Sequence, residues 1–275
     1  MRFFARGPVW IAFAVLSTLV AVSVWATLTG RLGGNTGAAA PVDRRSGGTE
    51  AALPNPVPPA FVPPEPKALT SLDHVSFWSP VKSPTPVHLR PNQSAAVIAR
   101  LSTRTPEGTR NLVLILDRRR DAQGTLWVRA RLPILGNSAV GWIPRSALGG
   151  YGQVSTHLVV DVAKLTATLY SNGKRIFEAQ VGVGTSENPT PTGEFYIRNK
   201  LTRYANAFYG PVAFGTSARS PTLTDWPAGA FVGIHGTNRP DLLPGRISHG
   251  CIRLSNSDIL LLERLMPVGT PLTIV

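Results

Sequence analysis

Between Val87 and Asn199 the apolar residues of this chain come in short runs, many of them alternating with polar ones and divided by Gly, Pro, Asn or Asp. Successive side chains of a strand point to opposite faces, so such runs fold as half-buried strands that need neighbours to cover one face. The first set is Val87 to Leu89, Ala96 to Leu101, Leu112 to Leu116, Leu126 to Leu132 and Val140 to Ile143. A second set follows at Leu158 to Asp161, Ala167 to Tyr170, Lys174 to Val183 and Glu194 to Asn199, and Leu272 to Val275 is expected to close that sheet. Within it, Ser171-Asn172-Gly173-Lys174 is a strong hairpin signal, because a type I′ turn requires positive φ at both central residues. One soluble helix is expected at about Ser257 to Met266, with Ser255 or Asn256 as its cap and Pro267 as its stop. The expected class is therefore mainly β.

The chain is 275 residues long, enough for two small folded domains with extensions. Val9 to Leu28 is twenty residues without a charge, and a helix of that length spans about 30 Å, the thickness of a bilayer core. Arg2 and Arg6 precede it, which favours a cytoplasmic start, so residues 1–29 are expected to be a single-pass anchor with the remainder extracytoplasmic. A cleaved signal peptide ending near Ala26 is the competing reading. Residues 30–80 form a Gly/Pro-rich linker, with seven prolines between Pro54 and Pro66 that favour an extended, semi-rigid spacer. Lys and Arg outnumber Asp and Glu by 28 to 15, a dispersed net charge of +13 that suits lipid headgroups or acidic wall polymers. Nucleic acid is not expected as a partner, since no recognition helix, zinc finger or stacking motif is present.

The stretch Ile234 to Leu254 reads I-H-G-T-N-R-P-D-L-L-P-G-R-I-S-H-G-C-I-R-L and contains the one cysteine, Cys251, with His235 and His249. A thiol is a useful nucleophile as a thiolate, and a nearby histidine is the commonest acceptor of its proton. His249 lies two residues before Cys251 and in an extended segment faces the same way, whereas His235 has to return from a neighbouring strand. Glycine beside the thiol allows close backbone approach and frees amide N–H groups for a developing oxyanion. A buried structural thiol and a zinc site built from His235, His249 and Cys251 are the alternatives.

The string S-H-G-C-I-R at Ser248 to Arg253, preceded by I-H-G-T at Ile234 to Thr237 and by P-T-P-T-G-E-F at Pro189 to Phe195, closely resembles the catalytic motif of bacterial L,D-transpeptidases of the YkuD type. The resemblance covers residues 155–275 and implies a β-sandwich with one C-terminal helix. It places the nucleophile at Cys251, the proton acceptor and donor at His235, and an imidazole-orienting backbone carbonyl at Gly236. It implies that Ser248, His249 and Gly250, with the Cys251 amide, position or line the oxyanion site. Arg253 takes a substrate-binding role or a surface ion pair. Tyr209 and Trp226 belong to an aromatic segment, with Tyr204, Phe208 and Phe214, whose counterpart in relatives contributes a flap over the substrate groove, so the resemblance implies a lid whose aromatics wall the pocket; aromatic residues in a sandwich are also ordinary core. Residues 81–150 resemble, through weaker motifs around Val87, Gly124, Trp127 and Trp142, a small bacterial SH3-like barrel, either a binder of wall peptides or a spacer.

The resemblance further implies a two-step acyl transfer on peptidoglycan stem peptides with no metal or organic cofactor. Cys251 attacks the carbonyl between the third residue and the terminal D-alanine of a tetrapeptide stem, and a side-chain amine of a second stem takes the acyl group as a 3→3 crosslink. Water as acceptor would make the chain an L,D-carboxypeptidase, and a protein amine would attach that protein to the wall. A non-catalytic cell-wall-binding protein and a cysteine protease of ordinary L–L peptide bonds are the readings from other classes.

Overall fold

The computed structural model of the protein describes residues 74–202, 207–223 and 230–275. The expected anchor at 1–29, the linker up to residue 73, Tyr204 and Trp226 lie outside the described residues. Among the described residues no helix is long and apolar enough to cross a membrane.

Seven strands build the first sheet: β1 (Ser76–Pro80), β2 (Thr85–His88), β3 (Val97–Leu101), β4 (Leu112–Arg120), β5 (Leu126–Arg131), β6 (Val140–Pro144) and β7 (Gly152–Val154). Their order is β3-β2-β6-β5-β4-β1-β7. Val87, Leu101, Val113, Ile115, Val128 and Ile143 form its core. Trp127 is fully buried, its Nε1–H donating to Asp121 2.8 Å away, so it belongs to the core. Two boundaries differ from the sequence reading. β1 lies within the segment assigned to the linker, because its short run next to proline gains strand character only by pairing with β4 and β7. β4 continues past Leu116 through Asp117-Arg118-Arg119-Arg120, a charged run held in the ladder by β5 after a bulge, with Asp117 paired to Arg129 across the strands.

The second sheet has ten strands: β8 (Thr156–Asp161), β9 (Thr166–Ser171), β10 (Lys174–Gln180), β11 (Gly182–Gly184), β12 (Gly193–Leu201), β13 (Ala213–Arg219), β14 (Phe231–His235), β15 (Gly245–Ser248), β16 (Ile252–Arg253) and β17 (Pro271–Ile274). Their order is β10-β9-β8-β17-β12-β13-β14-β16-β11-β15. The hairpin between β9 and β10 turns at Asn172 and Gly173, both at positive φ (48° and 75°), as a type I′ turn demands. The C-terminal strand β17 sits inside the sheet between β8 and β12 rather than at its edge. Helix α1 (Asn256–Leu265) starts at Ser255, whose Oγ accepts from the Asp258 N–H, and buries Ile259 and Leu262. The architecture is mainly β with one C-terminal helix and fits a β-sandwich or half-barrel.

Strand β12 joins the two sheets. Phe195 and Ile197 enter the core of the second sheet, while Tyr196 and Arg198 face the first. The Tyr196 hydroxyl donates to the Leu112 carbonyl at 3.0 Å, and buried Arg198 pairs with Glu107 at 2.9 Å while its ring neighbour Phe231 lies 3.6 Å below the guanidinium.

Candidate active site

β14 and β16 run parallel as direct neighbours, with Ile234 level with Ile252 and His235 level with Arg253. Alternation then sorts the residues by face. Val232, Ile234, Ile252 and Leu254 are buried in the core, whereas Phe231, Gly233, His235, Cys251 and Arg253 line a cavity of about 300 Å³. The expected return of His235 from a neighbouring strand is thus made, and the strand that carries it is the immediate partner of the one that follows Cys251.

Gly233 marks the meeting point. Its N–H points at Cys251 Sγ, 3.4 Å away. A Cβ at Gly233 would stand 3.8 Å from both Cys251 Sγ and His235 Cδ2, so sulfur and imidazole flank one spot on the cavity floor. His235 Nδ1 is 2.6 Å from the Gly236 carbonyl oxygen. A carbonyl can only accept, so Nδ1 carries the hydrogen and Nε2 of the neutral ring keeps its lone pair. Gly236 can be nothing larger, since a Cβ there would collide with Asn256 Oδ1, which accepts the Thr237 N–H at 3.0 Å.

Burial governs the charge state of the pair. Desolvation pushes His235 down to about 4, opposed by the Gly236 carbonyl and aided by the Arg253 cation. Desolvation also pushes the Cys251 thiol up, opposed by the Gly233 N–H and by Arg253. Around neutral pH burial therefore favours the uncharged form of both partners. This differs from a sulfur that already carries charge in the free protein.

The turn before the thiol is braced by Ser248. Its Oγ donates to the Cys251 carbonyl at 2.5 Å and accepts the Gly250 N–H at 3.1 Å. The Gly250 amide is thus committed to Ser248, which narrows the expected set of oxyanion donors. Gly250 adopts φ 108°, a left-handed conformation that favours glycine. The same kink means that Ser248 to Cys251 is not extended, and His249 sits exposed at the cavity wall rather than alongside the thiol in a strand.

Arg253 is 8% exposed and stacks its guanidinium 4.6 Å over the Phe208 ring. Among the described residues no carboxylate pairs with it and its buried Nε has no partner, so the surface ion pair is replaced by a cation lining the cavity. Tyr209 packs edge-on against His235 with ring centroids 4.8 Å apart, and Phe208 lies 6.4 Å from the same ring. Glu107, carried by the first sheet, also lines this cavity. No sequence signal points to Glu107. Gly233 was not read as a site residue either, although its place two before His235 in a strand is a signal that could have found it. Among the described residues no three His, Cys, Asp or Glu side chains gather as a metal site.

Residues 155–274 match the family model described as the YkuD L,D-transpeptidase catalytic domain. The L,D-transpeptidase-family protein YkuD of Bacillus subtilis (strain 168) is 36% identical over 118 residues, which are 43% of this chain and 65% of that protein. Its namesake in Bacillus licheniformis is 32% identical over 117 residues, 42% of this chain and 64% of that protein, so the chain spans less than two thirds of either relative. The NMR structure of the catalytic domain from the E. faecium L,D-transpeptidase is 27% identical and covers 44% of this chain and 96% of that one, with a TM-score of 0.34. Over the stretch that carries Cys251 and His235, the chain is therefore similar to the catalytic domain of the YkuD family of L,D-transpeptidases.

Proposed function

We propose that this chain is a peptidoglycan L,D-transpeptidase in which Cys251 carries the acyl group and His235 moves the proton. The observation that supports it most is the convergence of a thiol and a histidine with a free Nε2 on one spot beside Gly233, inside a cavity. In the first half-reaction the sulfur attacks the carbonyl that precedes the terminal D-alanine of a tetrapeptide stem while Nε2 takes the thiol proton. The Cys251 N–H supports the oxyanion, the C–N bond breaks, and the imidazolium returns its proton to the departing D-alanine amine. A thioester remains. In the second half-reaction His235 removes a proton from the side-chain amine of another stem as it attacks, which releases the thiol and leaves a 3→3 crosslink. The Arg253 cation, which lines the cavity with its buried Nε unpartnered among the described residues, suits the anionic end of a stem peptide. The seven-stranded sheet serves as an SH3-like module that orients the catalytic part or holds wall peptide, and the N-terminal apolar segment anchors an extracytoplasmic enzyme.

Incubating the full chain with tetrapeptide-bearing muropeptides and weighing the products tests this reading. Released D-alanine with a crosslinked dimer supports it. Tripeptide without dimer makes the protein an L,D-carboxypeptidase, and unchanged tetrapeptide makes it a non-catalytic wall binder.

A further inference from the structure

Thr190, in the P-T-P-T-G string before β12, is 6% exposed and reaches across to the turn that holds the thiol. Its Oγ1 accepts the Gly184 N–H at 2.8 Å and donates to the Gly250 carbonyl at 2.9 Å. Both partners are main-chain groups, and the two bonds fix the direction in which the hydroxyl can donate. The Gly250 carbonyl belongs to the same planar unit as the Cys251 N–H. In a trans peptide the two point in opposite directions, so holding the carbonyl on Thr190 turns the Cys251 N–H away from Thr190 and sets its aim. Gly250 has no side chain to restrict rotation about its Cα–C bond, the torsion that turns this peptide plane, so the plane's aim depends on external anchors. Ser248 secures the Gly250 N–H on one side of this unit and the Cys251 carbonyl on the other. Thr190 secures the middle one, the peptide that carries the proposed oxyanion donor.

We infer that Thr190 is a positioning residue for oxyanion stabilisation: through the Gly250 carbonyl it presets the Cys251 N–H for the tetrahedral intermediate, without touching substrate itself. This rests on the acyl-transfer reading above. It also gives the Pro189-Thr190 end of that string a physical task at the site, supported by the distance Thr190 spans to a residue sixty positions on.

Two reagents separate aim from reactivity. Iodoacetamide alkylates a thiol by direct displacement and forms no oxyanion, whereas a carbapenem acylates it through a tetrahedral intermediate that needs one. With the full chain, Thr190→Val should be alkylated at Cys251 within about twofold of wild type yet acylated at least about tenfold more slowly, short of the about 100- to 1,000-fold seen when an oxyanion donor is removed outright. Thr190→Ser, which keeps the hydroxyl, should recover most of the acylation rate. Should Thr190→Val not fold, Thr190→Ala leaves room for a water to meet the Gly184 N–H and is measured in its place. Equal slowing with both reagents, or wild-type acylation without the hydroxyl, overturns the inference. Failure of the wild type itself to be acylated overturns the acyl-transfer reading instead.

Discussion

His235 is 2% exposed, and desolvation holds its pKa at about 4 against an ordinary 6.5. Between those values the unfolded chain binds a proton on this ring that the folded chain refuses. Stability from this group is therefore complete above pH 6.5 and is lost as pH falls toward 4, below which both states are protonated. At about 1.4 kcal/mol per pH unit, the gap amounts to about 3 kcal/mol. The reference is His235→Asn, whose side-chain amide stands where Nδ1 does, so it removes the titration while keeping an N–H donor for the Gly236 carbonyl. Subtracting it cancels the contributions of other groups, including His157, whose pKa is also pushed down by burial. Urea unfolding at pH 7, 6, 5 and 4 should show wild type losing about 3 kcal/mol relative to the variant across that range. Carbapenem acylation of Cys251 in the wild type should hold its rate down to near pH 4, since a protonated ring cannot accept the thiol proton. A stability difference that does not vary with pH, together with an acid limb near pH 6.5, would show a solvated imidazole and refute the buried, uncharged pair.

Three substitutions probe the supports of the site. Glu107→Ala strips the partner from a guanidinium that is 2% exposed, and should cost about 3 kcal/mol in denaturant unfolding; under about 1 kcal/mol would mean that Arg198 is not held by this pair. Gly233→Ala places a methyl 3.8 Å from both Cys251 Sγ and His235 Cδ2, an ordinary contact, so the melting temperature should hold while acylation falls at least tenfold, and normal acylation would show that the substrate does not use this spot. Gly184→Ala drives a Cβ into the backbone of Asn188 and Thr190, the Thr190 nitrogen lying 2.6 Å away, and should destabilise the fold by more than about 2 kcal/mol on thermal unfolding, with a neutral change counting against the packing of this loop.

What the sequence disclosed depended on whether a feature was local. The Asn172-Gly173 turn and the Ser255 cap were legible because each is determined by a few neighbouring residues. The pairing of β14 with β16 was only an expectation, since two histidines were candidates and only pairing decides which strand lies beside the thiol. β1 was missed because its strand character comes from a partner far along the chain, and the charged half of β4 because it is held by its hairpin partner β5 rather than by any hydrophobic pattern of its own. Glu107 was silent, and Thr190 was marked only as part of the P-T-P-T-G string, because the cavity wall and the Gly250 carbonyl that give them meaning are assembled only on folding. The charge state of the site was not legible either. A cysteine near a histidine suggests an ion pair, but burial of both shifts each toward its neutral form, and the sequence does not record burial.

The most direct measurement is intact-mass analysis of the full chain mixed briefly with a synthetic tetrapeptide stem, followed by peptide mapping. The account predicts an adduct equal to the tripeptide acyl group on Cys251 with one D-alanine released per adduct, and no adduct on Cys251→Ala. An adduct on any other residue, or D-alanine release by Cys251→Ala at the wild-type rate, would contradict it.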